Sequence, residues 1–209
     1  MARGRFISLE GGEGAGKSTQ LAALAEALRG RGLTVVVTRE PGGSPGAEAI
    51  RKLLLEGEET RWNPRAEALL FAAARSDHVE KTIQPALERG DWVLSDRFLD
   101  SSLAYQGEAG GLGIDSVRDL HRFGSLDFLP DRTLVLTLDE SEGALRARAR
   151  DGHLGDRIGS RPSSYHAAVD AGFRAMAEME PDRVKLIDAN GTPETVTARL
   201  LDALGDLLP

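Results

Sequence analysis

Gly11, four residues, then Gly16-Lys17-Ser18 form the one stretch whose composition dictates a chemistry by itself. Gly11, Gly12, Gly14 and Gly16 free the backbone N–H groups to turn toward an anion without Cβ obstruction. The helix that follows points its positive dipole end at the same place. Lys17 can bridge terminal phosphates and the Ser18 hydroxyl can ligate Mg²⁺, with Ala15 and Thr19 completing the loop. This is the Walker A spacing. It leaves the reaction open, because switches, motors and small-molecule kinases share it. Glu13 is the odd member, an acid inside a loop that attracts anions.

Further groups are grouped for an acceptor. Thr38-Arg39-Glu40-Pro41-Gly42-Gly43 and Ser95-Asp96-Arg97 close two strand-like runs. In an open parallel sheet, ligands sit at the carboxyl ends of the strands. Arg39 and Arg97 are therefore expected to face the phosphate loop and neutralise a second phosphate. Asp96 is placed like the acid that stands near Mg²⁺; a local ion pair with Arg97 is the alternative. Phe71 and Arg75 lie four apart on a helical pattern, as do Ser101 and Tyr105, and Ser102 and Gln106. An aromatic plate beside a guanidinium suits a flat base, although a core Phe with a solvated Arg would read the same way. Hydroxyls, a phenol and an amide projecting together are costly to bury without a ligand or mutual hydrogen bonds. His78 reads as an ordinary helix-face residue.

The elements that must position these groups alternate. Nearly continuous apolar runs at 6–9, 33–38, 92–96, 132–138 and 184–188 suit buried parallel strands. Helical patterns fall at 47–55, 66–89, 101–104, 114–123, 142–150, 164–179 and 193–208, beside the one that starts after Lys17 and stops at Gly30. The expectation is an α/β protein: a five-stranded parallel sheet in an α/β/α sandwich, one domain over 1–209. The turn-rich segment 151–163 is the candidate moving lid. A net charge of -7 disfavours a polynucleotide partner. Cysteine is absent, so thiolate metal sites are excluded, and no apolar run reaches membrane-spanning length. Cytoplasm is the default expectation. Leu138-Asp139-Glu140-Ser141 stands where a guanine-specific Asn-Lys-x-Asp motif would follow strand four, which disfavours a GTPase switch.

EGGEGAGKST, TREPGG, LLFAAARSDHVE, VLSDRFLDSSLAYQG and RARARDGHLGDRI together make the chain resemble bacterial thymidylate kinase, over most of its length. The resemblance implies the P-loop NTPase fold with a lid near 146–163. It implies transfer of the ATP γ-phosphoryl group to dTMP with Mg²⁺, in a homodimer. Phe71 would stack on thymine, Arg75 would meet its edge, and Ser102 and Gln106 would complete base recognition with Ser101 nearby. Tyr105 would lie against the deoxyribose. Arg39 and Arg97 would hold the dTMP phosphate, and Pro41, Leu53 and Leu54 would belong to the pocket wall. Glu13 would face the acceptor's 3′-hydroxyl rather than ATP, which accounts for its charge. The catalytic arginine would sit in the lid of the Arg146, Arg148, Arg150 and Arg157 cluster: Arg150 first, Arg157 next, with Arg146 against adenine.

Overall fold

The computed structural model describes residues 3–138 and 157–209, apart from the Glu59 side chain. Five strands, β1 (Phe6–Gly11), β2 (Val35–Arg39), β3 (Trp92–Asp96), β4 (Arg132–Thr137) and β5 (Val184–Asp188), form one sheet in the order β2-β3-β1-β4-β5. Every pairing is parallel. β1 is buried along its whole length, as the central strand of a sheet covered on both faces must be.

Side-chain alternation splits the core in two. Phe6, Val93, Val135 and Val184 join Phe98, Leu103 and Phe173 on one face. Ile7, Leu9, Leu94, Leu134, Leu136 and Ile187 meet Leu21, Leu24, Leu28 and Leu200 on the other. The second face is covered by α1 (Lys17–Arg29) and α8 (Pro193–Asp202), which pack on each other. The first is covered by α3 (Pro64–His78), α4 (Gln84–Glu88), α5 (Leu99–Ser102), α6 (Ile114–Ser125) and α7 (Ser163–Met179). α2 (Pro45–Leu55) lies against α3.

Two expected helices are not continuous α-helix. The pattern over 66–89 begins two residues earlier, as α3, and passes through one π turn, Val79–Ile83, before α4. There the Gln84 N–H bonds back to the Val79 carbonyl, five residues away. Pro85 has no N–H to donate, so the ladder loses a rung at that point and the wider spacing absorbs it. The expectation at 101–104 becomes α5 running into a seven-residue π segment, Leu103–Ala109, which carries Tyr105 and Gln106. The helix expected over 193–208 ends at Asp202. The expected helix 142–150 lies outside the described residues.

Helix starts separate structural ends from the loop end. Ser44, Asn63 and Thr192 cap α2, α3 and α8 by accepting from Ala47, Ala66 and Thr195 N–H groups, each followed by proline. α1 begins after Gly16 at φ 83° with no side-chain cap and no acid in its first turn.

Candidate active site

The phosphate loop leaves β1 at Gly11, where φ is 128° and a Cβ would stand 2.4 Å from the Leu136 carbonyl oxygen. Only glycine fits there. Lys17 folds back under the loop, and its Nζ donates to the carbonyls of Gly11 at 3.1 Å and Gly12 at 2.7 Å. Burial, and then the charge of Arg97, lower the Lys17 pKa to about 7. The Ser18 hydroxyl reaches Asp96 Oδ2 at 3.4 Å, so the two expected metal-side residues meet. Register explains this: Leu9 pairs with Asp96, so β1 and β3 deliver loop and acid to the same edge.

Arg97 follows Asp96 in the left-handed region, φ 72°, a strained conformation for a side chain other than glycine. It is pinned on several sides. Its N–H donates to the Leu9 carbonyl at 2.9 Å, and Nη1 donates to the Gly11 carbonyl at 3.2 Å and Ser101 Oγ at 2.9 Å. Nη2 donates to the Tyr105 hydroxyl at 3.3 Å, and the guanidinium lies 5.0 Å from the Tyr105 ring centre.

Beneath Arg97 lies Glu10, fully buried. It accepts from the Phe98 N–H at 2.7 Å and from the Ser101 hydroxyl at 2.5 Å. Burial, then neighbouring Asp100, raise its pKa to about 8. Asp100 is itself buried and bridged by both Arg183 terminal nitrogens, at 2.7 and 2.8 Å.

A cleft of about 600 Å³, part of it open to solvent, extends from this point. Glu13, Pro41, Phe71, Arg75, Arg97, Ser101, Ser102, Tyr105 and Gln106 all line it, as the sequence expects. Arg75 is held as a fixed donor: Nε to Glu40 at 2.8 Å, Nη2 to Ser102 Oγ at 2.8 Å and to the Phe98 carbonyl at 3.2 Å. Burial pushes the Glu40 carboxyl up, but Arg75 and then His78 outweigh it and hold it below the usual carboxylate range. His78 is no helix-face residue. It is fully buried between Glu40 at 3.0 Å and the Thr38 hydroxyl at 2.7 Å. Gln106 donates to Glu67 at 3.0 Å, and the Tyr165 hydroxyl donates to the Tyr105 carbonyl at 2.5 Å.

Several expected residues stand elsewhere. Arg39 is 56% exposed and does not line the cleft, because Glu48 draws its guanidinium aside at 3.2 Å. Leu54 is fully buried and Leu53 is exposed, while Leu55 takes the wall position. Arg157 is buried on the acceptor side, paired with Glu67 and donating to the Leu54 carbonyl at 2.9 Å. The chain beside it contributes Ile158 to the cleft, and Gly159 passes close to Glu13: a Cβ there would lie 2.4 Å from Glu13 Oε1. Arg146, Arg148 and Arg150 lie outside the described residues. Glu10, Glu40 and Glu67 escaped the sequence reading. For Glu10 and Glu67 a carboxylate between apolar or small neighbours was the available signal, since such a group needs a buried partner; Glu40, beside Arg39, carried none.

The chain as a whole is similar to known proteins. The family profile described as Thymidylate kinase matches residues 9–200. A thymidylate kinase of Rhizorhabdus wittichii is 60% identical over 206 residues, covering 99% of each chain. One of Gluconobacter oxydans is 51% identical over 209 residues, covering 99% of this chain and 96% of its own. The crystal structure of thymidylate kinase from Ehrlichia chaffeensis superposes with a TM-score of 0.77 at 30% identity, covering 97% of this chain and 99% of that one. A phosphate loop, a second cation at its flank, and matches that run end to end leave one conclusion: the chain belongs to the thymidylate kinase family, P-loop NTPases in fold, which phosphorylate dTMP to dTDP with ATP.

Proposed function

We propose that the donor and acceptor phosphates meet on either side of the Gly11 carbonyl. One observation carries the reading: Lys17 Nζ and Arg97 Nη1 converge on that single oxygen, at 3.1 and 3.2 Å. Lys17, with the loop amides from Gly12 to Thr19, takes the ATP phosphates. Arg97 takes the dTMP phosphate. An oxygen of that phosphate attacks the γ-phosphorus in line; the new O–P bond forms as the bond to the ADP oxygen breaks. The attacking oxygen is already anionic near neutral pH, so no general base is required. Positioning and charge neutralisation are the catalytic means.

Ser18 and Asp96 offer a hydroxyl and a carboxylate at one spot, the hard oxygen donors that Mg²⁺ prefers alongside phosphate oxygens. They would hold the ion, which supplies charge neutralisation to the transferring group. On the acceptor side Phe71 stacks on the base, Arg75 donates to its carbonyl, Ser102 and Gln106 complete the edge, Tyr105 packs on the sugar, and Glu13 accepts the 3′-hydroxyl. Arg39 would have to leave Glu48 to assist, and the acceptor reading rests on Arg97 without it. The lid arginine for the transferring group is Arg150, with Arg146 at adenine. Arg157, spoken for by Glu67, has a different task.

Among the described residues no helix is long and apolar enough to cross a membrane. A homodimer is proposed through the face of α3 and α6, which pack on each other and leave Leu69, Phe123 and Leu126 exposed.

Coupled ADP-release kinetics test the division of labour. Phe71→Ala and Glu13→Ala should each raise the KM for dTMP about tenfold, the worth of one stacked ring or one charged hydrogen bond, while the KM for ATP stays within about twofold. Equal losses toward both substrates would sink it.

A further inference from the structure

We propose that Glu67 is a specificity-determining positioning residue: it fixes the polarity of the Gln106 amide, and through it the choice of a thymine over a cytosine edge. This rests on the base-recognition reading above.

Glu67 lies in the first turn of α3 and is 2% exposed. Its carboxylate sits between two guanidiniums, bonded to Arg157 Nη2 and to Arg161 Nη2 at 3.0 and 2.8 Å. A carboxylate so placed only accepts. Gln106, itself 3% exposed, must therefore turn its NH₂ toward Glu67, where Nε2 stands 3.0 Å from Oε1. Turned the other way, two acceptor oxygens would face each other in a buried site. The amide oxygen is the end left for the cleft that Gln106 lines, and no described residue donates to it.

Arg75, a second polar group at the base edge, can only donate, and Glu40 and Ser102 hold it in place. The cleft thus presents a donor from Arg75 and an acceptor from Gln106. A thymine ring shows a carbonyl oxygen and an N–H along the edge that includes position 3, which matches both. Cytosine shows an amino group and a bare nitrogen there, which mismatches both. A buried site built for one hydrogen-bonding pattern rejects the other because its own groups are left unpaired. Glu67 touches no substrate in this scheme. It sets which end of an amide does.

The test is kcat/KM for dTMP, dUMP and dCMP in wild type, Glu67→Gln, Glu67→Asp and Gln106→Leu. Glutamine at 67 keeps the shape but both donates and accepts, so the Gln106 amide is free to turn. The dTMP to dCMP ratio should fall about tenfold or more. The dTMP to dUMP ratio should hold, since uracil shows the same edge. Should Glu67→Gln not fold, Glu67→Asp keeps the charge that the two arginines require while withdrawing it from Gln106, and its ratio should fall about threefold or more. A uniform loss toward all three acceptors, with the ratios kept, marks a merely structural residue and overturns the proposal. The two readings separate on Gln106→Leu: if it leaves the dTMP to dCMP ratio unchanged, the base-recognition reading fails. If it collapses that ratio while the folded Glu67 variants keep it, the Glu67 inference alone is wrong.

Discussion

Glu10 shows how one buried carboxyl ties chemistry to stability. It supports the strained Arg97 turn through the Phe98 N–H and the Ser101 hydroxyl. Its pKa is raised from 4.5 to about 8, so the folded chain keeps a proton that the unfolded chain releases. The sign follows: the stabilisation is complete below about 4.5 and is lost as pH climbs toward 8. Glutamine at this position imitates the protonated acid and does not titrate. The Tm advantage of Glu10→Gln over wild type should therefore grow from pH 5 to pH 7, read by thermal melts in matched buffers. Lys17, lowered to about 7, begins to act in the opposite direction only above that range. A difference that stayed constant across the window would mean that Glu10 ionises as freely folded as unfolded.

At the scale of elements, the strand ends do the positioning. After β2 the chain turns through Gly43, φ 85°, where a Cβ would lie 2.3 Å from His78 Nε2 and 2.4 Å from Thr38 Oγ1. Gly43→Ala should displace His78 from Glu40 and loosen Arg75 behind it. The expected cost is about 1–3 kcal/mol in urea unfolding, with a raised KM for dTMP. Unchanged stability would show that the turn has room to relax. The strands themselves were legible, because runs such as Val35-Val36-Val37 and Leu134-Val135-Leu136 carry their burial in their composition. The phosphate loop was legible because its spacing is local. The π segments were not, since a shifted hydrogen-bond ladder leaves the apolar periodicity nearly intact. Glu10, Glu40 and Glu67 were missed because their partners come from other elements: Ser101, Arg75 and Arg157. Arg39 failed to line the cleft for a neighbouring reason: its position at a strand end was readable, but the pull of Glu48 nine residues on was not.

Over the whole molecule, the sheet order places β1 between β3 and β4, so the loop rises from the most thoroughly buried strand. α3 and α6 carry exposed apolar side chains, Leu69 and Phe123, and Phe123 is 90% exposed. A large ring so displayed fits a face that a second copy covers. Light scattering coupled to size exclusion should give the mass of two chains for the wild type and of one for Phe123→Glu. A dimer that survives the charge would place the interface on another face. The phosphate loop is shaped by glycine turns and main-chain groups, whereas the neighbouring cleft is walled by side chains. Genetic drift can rewrite the second wall by wall while the first tolerates almost no edits. Over evolutionary time, lineages sharing this scaffold should diverge in the recipient they serve well before they change the currency they spend.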